Sequence, residues 1–221
     1  MSAPNRPRRR SRDATLRVKP IASTDSGMTD EADPPETHRQ HGPRLFAPRL
    51  VRGSRLTFRP ANPDDAAFIL SLRLDEAKNK HLSTTSPDVE RQRQWLAALP
   101  SDQVYFIIEA EGRPVGTVRL YDQRGSSFCW GSWILSDDAP KSSAVESTLM
   151  VYATGLALGF TAAHFEVRKE NVKVWQYHER CGAERVGETE EEYLYTISEP
   201  AIEALFARYR GRLNGPVTVD W

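Results

Sequence analysis

The chain has 221 residues, and its 30 Lys and Arg balance its 30 Asp and Glu. A net charge of zero argues against a nucleic-acid or membrane-surface partner, and the length fits one domain of ordinary size plus extra segments. Only two cysteines occur, Cys129 and Cys181; both sit in apolar segments and read as reduced core residues, and no zinc-ligand spacing exists.

No apolar run approaches the ~20 residues of a membrane-crossing helix. The N-terminus has no apolar stretch of the signal-peptide kind, so a cytoplasmic protein is expected. Residues 1–48 are rich in Pro, Arg, Ser, Thr and Asp and poor in large apolar side chains. Such a segment cannot bury enough surface to offset its ordering entropy, and a disordered tail is expected there. Its cluster of Arg6, Arg8, Arg9, Arg10 and Arg12 reads first as a solvated tail, with an acidic-surface or nucleic-acid contact as the alternative.

A folded domain is expected over residues 53–210. Residues 56–60 alternate apolar and polar as a strand does. Asn62-Pro63-Asp64-Asp65 caps the next helix, with Pro in its first turn, and Phe68, Ile69, Leu72 and Leu74 form that helix's apolar face. The polar stretch from Asn79 to Ser86 lies between helices. His81 in it is either a plain loop residue or a base or ligand contact. Ser86 or Asp88 caps a second helix, which buries Trp95, Leu96 and Leu99. Strands follow at residues 104–109, 114–121 and 126–135, the first two joined by a tight Glu111-Gly112-Arg113 turn.

The polar turn 136–143 contains Pro140, which breaks regular structure. A helix starts near Ser142, with Val145, Leu149, Tyr152, Leu156 and Leu158 approximating its apolar stripe. Residues 165–168 alternate again as a strand. Asn171 is an N-cap for a helix that buries Val174, with Tyr177 and Cys181, and Gly182 is its C-terminal cap. Two parallel strands joined by a helix make a right-handed crossover. Strands at 183–186 and 193–197 then flank a solvated acidic tip, Glu188 to Glu192. Ser198 caps a last helix over 199–209, with Ile202, Leu205 and Phe206 on its apolar face. Residues 211–221 are expected to be loose; Trp221 either frays or docks on a second copy in a homodimer.

The turn into the helix at Ser142 is a candidate site. A helix start aims several free N–H groups at one point, and the helix dipole adds partial positive charge there. Lys141 adds a full cation, and Ser142, Ser143 and Ala144 are small enough to let a ligand approach the backbone. The arrangement suits a pyrophosphate.

The following stretch, Phe165-Glu166-Val167-Arg168-Lys169-Glu170-Asn171, then Val174, then His178-Glu179-Arg180-Cys181-Gly182-Ala183, resembles the coenzyme-A-binding core of the GNAT superfamily of acyl-CoA-dependent N-acetyltransferases. It looks like that family's L-x-V-x-x-x-N run, a one-faced helix, an aromatic seven residues after the Asn, and a closing G-F. The resemblance covers roughly residues 54–197. It implies an α/β (α+β) fold: a mixed, mostly antiparallel central sheet of about seven strands with helices on both faces. It also implies acetyl-CoA as co-substrate, no metal, and a small-molecule amine as partner. Two departures stand out. The pyrophosphate loop falls on residues 141–146, which lack the family's glycines, and Glu146 would bring a negative charge near a dianion. Backbone donors survive the loss of glycine where φ stays negative, as at a helix start. His178 stands where the family usually has a general-acid Tyr.

Carried residue by residue, the resemblance assigns coenzyme contacts to the backbone of Ile134 and Leu135, to Lys141, Ser142, Ser143, Ala144 and Val145, and to Asn171. Asn171 would bond the pantetheine amides and cap its helix together. Glu166 is the candidate base, its pKa raised by partial burial; the alternative is an exposed strand residue. His178 is the candidate acid as an imidazolium, or a ring that packs under the cofactor. His81 and Trp133 are candidate acceptor contacts, and Trp130 or Trp133 either stacks on a sugar or base or belongs to the core. Asn79 to Ser86, Gln92, Gln94 and Trp95, with Gly131-Ser132-Trp133, look most like GNAT proteins that act on nucleotide-linked amino sugars. The rival readings are a ribosomal-type protein N-terminal acetyltransferase and a non-catalytic acyl-CoA-binding module.

Overall fold

The computed structural model describes residues 42–81 and 85–221. The arginine cluster of the N-terminal segment, and Leu82, Ser83 and Thr84, lie outside the described residues. Among the described residues nine strands form one sheet. In chain order the elements are β1 (Leu50–Arg52), β2 (Leu56–Pro60), α1 (Ala66–Leu74), α2 (Val89–Ala97), β3 (Val104–Ala110), β4 (Arg113–Arg124), β5 (Ser127–Leu135), α3 (Ser143–Ala157), β6 (Ala162–Arg168), α4 (Val172–Arg180), β7 (Glu184–Glu188), β8 (Glu192–Ser198), α5 (Glu199–Tyr209) and β9 (Thr218–Asp220). The strands lie in the order β7-β8-β6-β5-β4-β3-β2-β1-β9. Every neighbouring pair is antiparallel except β5 with β6.

The alternation within β3 explains the layers. Tyr105 and Ile107 pack with Ala66, Ile69 and Leu96 of α1 and α2. Val104, Phe106 and Ile108 belong to the larger core that holds Leu149, Met150 and Tyr152 of α3 and Ile202 and Leu205 of α5. Successive strand side chains point to opposite faces, so α1 and α2 cover one face of the sheet and α3 and α5 the other. This is the mixed sheet with helices on both faces that the resemblance implies, with two more strands.

The extra strands correct the expected boundaries. Residues 211–221 are not loose: β9 pairs with β1 through Leu50↔Asp220, Val51↔Val219 and Arg52↔Thr218. Trp221 packs on Phe46 of the same chain, with ring centroids 4.8 Å apart. Leu45, inside the expected tail, is fully buried. Packed structure therefore begins before residue 48.

The caps fall mostly where the sequence places them. The Asn62 side chain accepts from Asp64 N–H and the Asp65 side chain from Asn62 N–H, both at 2.8 Å. Arg59 then clamps Asp65 through two bonds of 2.8 Å and reaches Glu109 at 2.7 Å. Asp88, not Ser86, caps α2, accepting from the N–H groups of Glu90 and Arg91. Ser198 and Asn171 occupy cap positions, but neither side chain makes a cap bond. Glu111 and Gly112 both have positive φ, 52° and 73°, the backbone of a two-residue hairpin turn whose twist matches its strands. Both cysteines are free and buried, and burial pushes the Cys129 thiol up to about 11. No helix among the described residues is long and apolar enough to cross a membrane.

Candidate active site

β5 and β6 part company in the middle of the sheet. They pair only from Ser127↔Ala162 to Cys129↔His164. Beyond Cys129, β5 keeps its pairing with β4 alone, through Arg119↔Gly131, Thr117↔Ile134 and Gly116↔Leu135. Between Gly131 and Ile134 the register shifts: three steps along β5 face two along β4. Such a bulge bends a strand and leaves backbone unpaired. Ser132 sits in it with a φ of 48°, and Thr117 Oγ1 donates to its carbonyl at 2.9 Å. Ile134 and Leu135 thus lie on a strand whose second edge borders a gap.

The turn into α3 opens beside that gap. Ser142 starts the helix with a φ of −81°, a backbone that needs no glycine. Ser143 N–H goes to the Pro140 carbonyl and Glu146 N–H to the Ser142 carbonyl. That leaves the Ala144 and Val145 N–H groups of the first turn pointing outward, as at any helix start. Three hydroxyls converge on the Ala144 carbonyl: Thr148 Oγ1 at 2.9 Å, Tyr177 Oη at 3.1 Å and Ser147 Oγ at 3.2 Å. Trp133 Nε1 donates to Ser147 Oγ at 3.1 Å. Side chains from α3, α4 and β5 therefore fix this turn. Lys141 and Ser142 are exposed on it, and Ser143 is buried.

Glu146 does not face the turn. Its carboxylate is buried and accepts from the N–H groups of Arg55 at 2.6 Å and Leu56 at 2.9 Å. A Cβ on Gly53 would stand 2.5 Å from its Oε1, so glycine makes room there. The expected repulsion of a dianion gives way to a tie between α3 and the β1–β2 connection.

A cleft of about 200 Å³ runs along the gap, and His81, Trp133, Glu166, Asn171 and His178 all line it. A cavity of about 630 Å³ adjoins it beside α2, lined by Arg73, Arg91, Arg119, Trp95 and Tyr105 among others. Ser132 lines both. Among the described residues no group of three His, Cys, Asp or Glu is placed to hold a metal ion.

A family model described as an acetyltransferase (GNAT) domain matches residues 55–184. The chain belongs to the GNAT acetyltransferase family. Its structure superposes on that of apo FdhC, a nucleotide-linked sugar GNAT, with 34% identity and a TM-score of 0.66, covering 76% of this chain and 97% of that one. Mycobacterium smegmatis RimJ in complex with CoA-disulfide is similar at 19% identity and a TM-score of 0.62, covering 76% and 99%. A GCN5-related N-acetyltransferase from Brucella melitensis is similar at 17% and 0.65, covering 78% and 89%. These last two likenesses concern the fold. No curated protein matches the chain.

In this GNAT enzyme several site residues differ in state from what the sequence suggests. His178 is 4% exposed, with its ring centroid 4.3 Å from that of Phe165 and 5.2 Å from that of Trp130. Burial pushes its imidazole down to about 3, so the ring is neutral near neutral pH and not the imidazolium expected. Its Nδ1 has no hydrogen-bond partner among the described residues. A neutral ring still offers one N–H donor and one acceptor. Glu166 is exposed rather than partly buried. Asn171 keeps its amide out of the helix cap. Trp133 packs against Tyr177 with centroids 5.6 Å apart and forms a wall of the cleft. Trp130 is core, at 3% exposure. Trp95, expected on the buried side of α2, is 39% exposed at the larger cavity.

Residues that sequence reading passes over also reach the site. Glu192, at the edge of the acidic run, lines the cleft. Burial and the neighbouring Glu166 carboxylate raise its pKa. Arg73, Arg91 and Arg119 come from α1, α2 and β4. No linear spacing joins them, and only the packing of α1 and α2 on β3 and β4 brings them to one cavity.

Proposed function

We propose that this GNAT enzyme transfers an acetyl group from acetyl-CoA to the primary amine of a nucleotide-linked amino sugar, in the cytoplasm. The observation that carries the acceptor class is the 34% identity to a nucleotide-linked sugar GNAT over 97% of that chain. The site chemistry is compatible with it. The coenzyme's pyrophosphate meets the Ala144 and Val145 N–H groups and Lys141, with the Ser142 and Ser143 hydroxyls beside them; a helix N-terminus favours such an anion. The pantetheine arm lies in the gap between β5 and β6, bonded by the Asn171 amide. The free edge of β5 at Ile134 and Leu135 offers backbone N–H to the thioester oxygen, where negative charge develops in the transition state. His81 and Trp133 flank the acceptor.

Glu166 takes a proton from the acceptor ammonium. The freed nitrogen attacks the thioester carbon, a C–N bond forms, and the C–S bond breaks. The nitrogen's second proton passes to the thiolate, and the neutral His178 ring donates a hydrogen bond to that sulfur. Amide and coenzyme A leave, and the proton on Glu166 returns to solvent. The test is release of coenzyme A thiol from acetyl-CoA with a panel of nucleotide-linked amino sugars, free amino sugars and peptides with free N-termini. Turnover led by a nucleotide-linked amino sugar, with the acetyl group on its sugar nitrogen by mass spectrometry, is the expected result. Turnover of peptides alone would replace the acceptor, and no turnover of any amine would remove the catalytic reading.

A further inference from the structure

We infer that the cavity beside α2 holds the nucleoside diphosphate half of the acceptor, with Arg91 and Arg119 on the diphosphate and Trp95 against the base. The inference rests on the proposed acceptor class and names where its non-reacting half binds. Volume, charge, an unmet polar group and connectivity all point the same way. The cavity measures about 630 Å³, inside the roughly 300–1,000 Å³ span of small-ligand sites. Asp88 is the one acidic residue among the described residues that line it. Its Oδ1 is occupied by the N–H groups of Glu90 and Arg91 at the start of α2. The charge of Arg91 and Arg119 is thus left for a ligand, and planar guanidinium groups bind phosphate oxygens in pairs.

The cavity also holds polar atoms that the protein does not satisfy. Tyr105 is 3% exposed and lines the cavity, and its hydroxyl, beside Thr117 and Arg73, makes no hydrogen bond of good geometry among the described residues. Arg119 Nε is buried and equally without one. Its guanidinium carbon lies 4.3 Å from the Tyr121 ring centre and 5.6 Å from that of Trp95, which holds it at the cavity wall. Buried polar atoms are normally paired, and a diphosphate that drew the Arg119 guanidinium toward the cavity would pair its Nε. Trp95 stays 39% exposed, a flat surface on which a base can stack. Finally, Ser132 lines this cavity and the catalytic cleft alike. A ligand seated over α2 therefore has its sugar amine led past the β5 bulge toward Glu166.

The experiment measures binding of uridine and thymidine diphosphates by calorimetry, with coenzyme A absent and then saturating, to the full chain and to its Arg119→Gln and Arg91→Gln variants. The expected result is binding that survives saturating coenzyme A and weakens about 10- to 100-fold in Arg119→Gln, as loss of a charge-assisted bond implies. Arg91→Gln, on the exposed side of α2, reports the same trend with no disturbance of the Tyr121 and Trp95 stack. Displacement by coenzyme A would put the diphosphate on the α3 turn and overturn the inference. So would unchanged affinity in both variants. Kinetics separate the two levels. If the wild-type chain acetylates nucleotide-linked sugars while both variants keep its acceptor KM, this subsite is wrong and the acceptor class stands. If nucleoside diphosphates bind through these arginines but no nucleotide-linked sugar is acetylated, the acceptor class is wrong and the subsite stands.

Discussion

A histidine enclosed by Trp130, Phe165 and Tyr177 cannot carry charge cheaply. This makes His178 a stability element as well as a site residue. Its folded pKa lies near 3 against an ordinary value of 6.5. Between those values the unfolded chain binds a proton that the folded chain refuses, so folding stability falls as pH falls from about 6.5. The slope reaches at most ~1.4 kcal/mol per pH unit. His164 is also lowered by burial and adds a slope of the same sign. Asp65, held below its ordinary 3.8 against burial by Arg59, acts only at lower pH. Urea unfolding of wild type and His178→Phe between pH 4.5 and 7 isolates the term: the wild-type curve should be steeper, and parallel curves would show that the ring is not desolvated. Asn171 makes the complementary case. Its side chain caps nothing, so Asn171→Ala should change stability by under about 0.5 kcal/mol while raising the KM for acetyl-CoA roughly 3- to 10-fold. A loss of stability with an unchanged KM would return the residue to a structural role. Sequence reading finds both positions through the N-x-x-x-x-x-x-H spacing. It misjudges their states, because charge on His178 and cap bonding by Asn171 depend on what surrounds them.

At the scale of elements, α3 organises the site because almost all of it is buried. Its charged Glu146 is tied to the start of β2, and the hydroxyls of Ser147, Thr148 and Tyr177 lock the Ala144 carbonyl at its first turn. Its far end meets β5 closely: a Cβ on Gly155 would stand 2.2 Å from Phe128 Cε1, and Phe128 is packed on Phe160 at 5.2 Å. Gly155→Ala gains up to about 1 kcal/mol of helix propensity but must displace a core ring, a cost of ~1–3 kcal/mol. The denaturant midpoint should therefore fall. A rise would mean that Phe128 moves freely and that α3 does not depend on this contact. The periodicity of α3 and α5 is long enough to read, and α5 runs over the residues expected of it. The role of Glu146 is not legible: a glutamate next to an anion-binding turn looks repulsive until the β2 amides 90 residues away are seen to hold it.

For the whole molecule, the antiparallel run β3–β4–β5 follows from strands with clear alternation and the parallel β5–β6 pair from the intervening helix, while the mixed sheet with helices on both faces follows from the family resemblance. The three-residue strands β1 and β9 are too short to carry a period, and their pairing joins chain segments about 168 positions apart, so the C-terminal stretch reads as loose although it closes the sheet. The β5 bulge is equally silent in sequence, yet it opens the gap and lets the cleft and the arginine-lined cavity meet at Ser132. The central claim is that this gap and the glycine-free turn at Ser142 together hold acetyl-CoA. Thermal unfolding of the full chain with and without acetyl-CoA tests it most directly. At ~100 times its dissociation constant the ligand should add about 2.7 kcal/mol of stability, seen as a clear rise in Tm that shrinks in Asn171→Ala. An unchanged Tm at millimolar acetyl-CoA would contradict the claim.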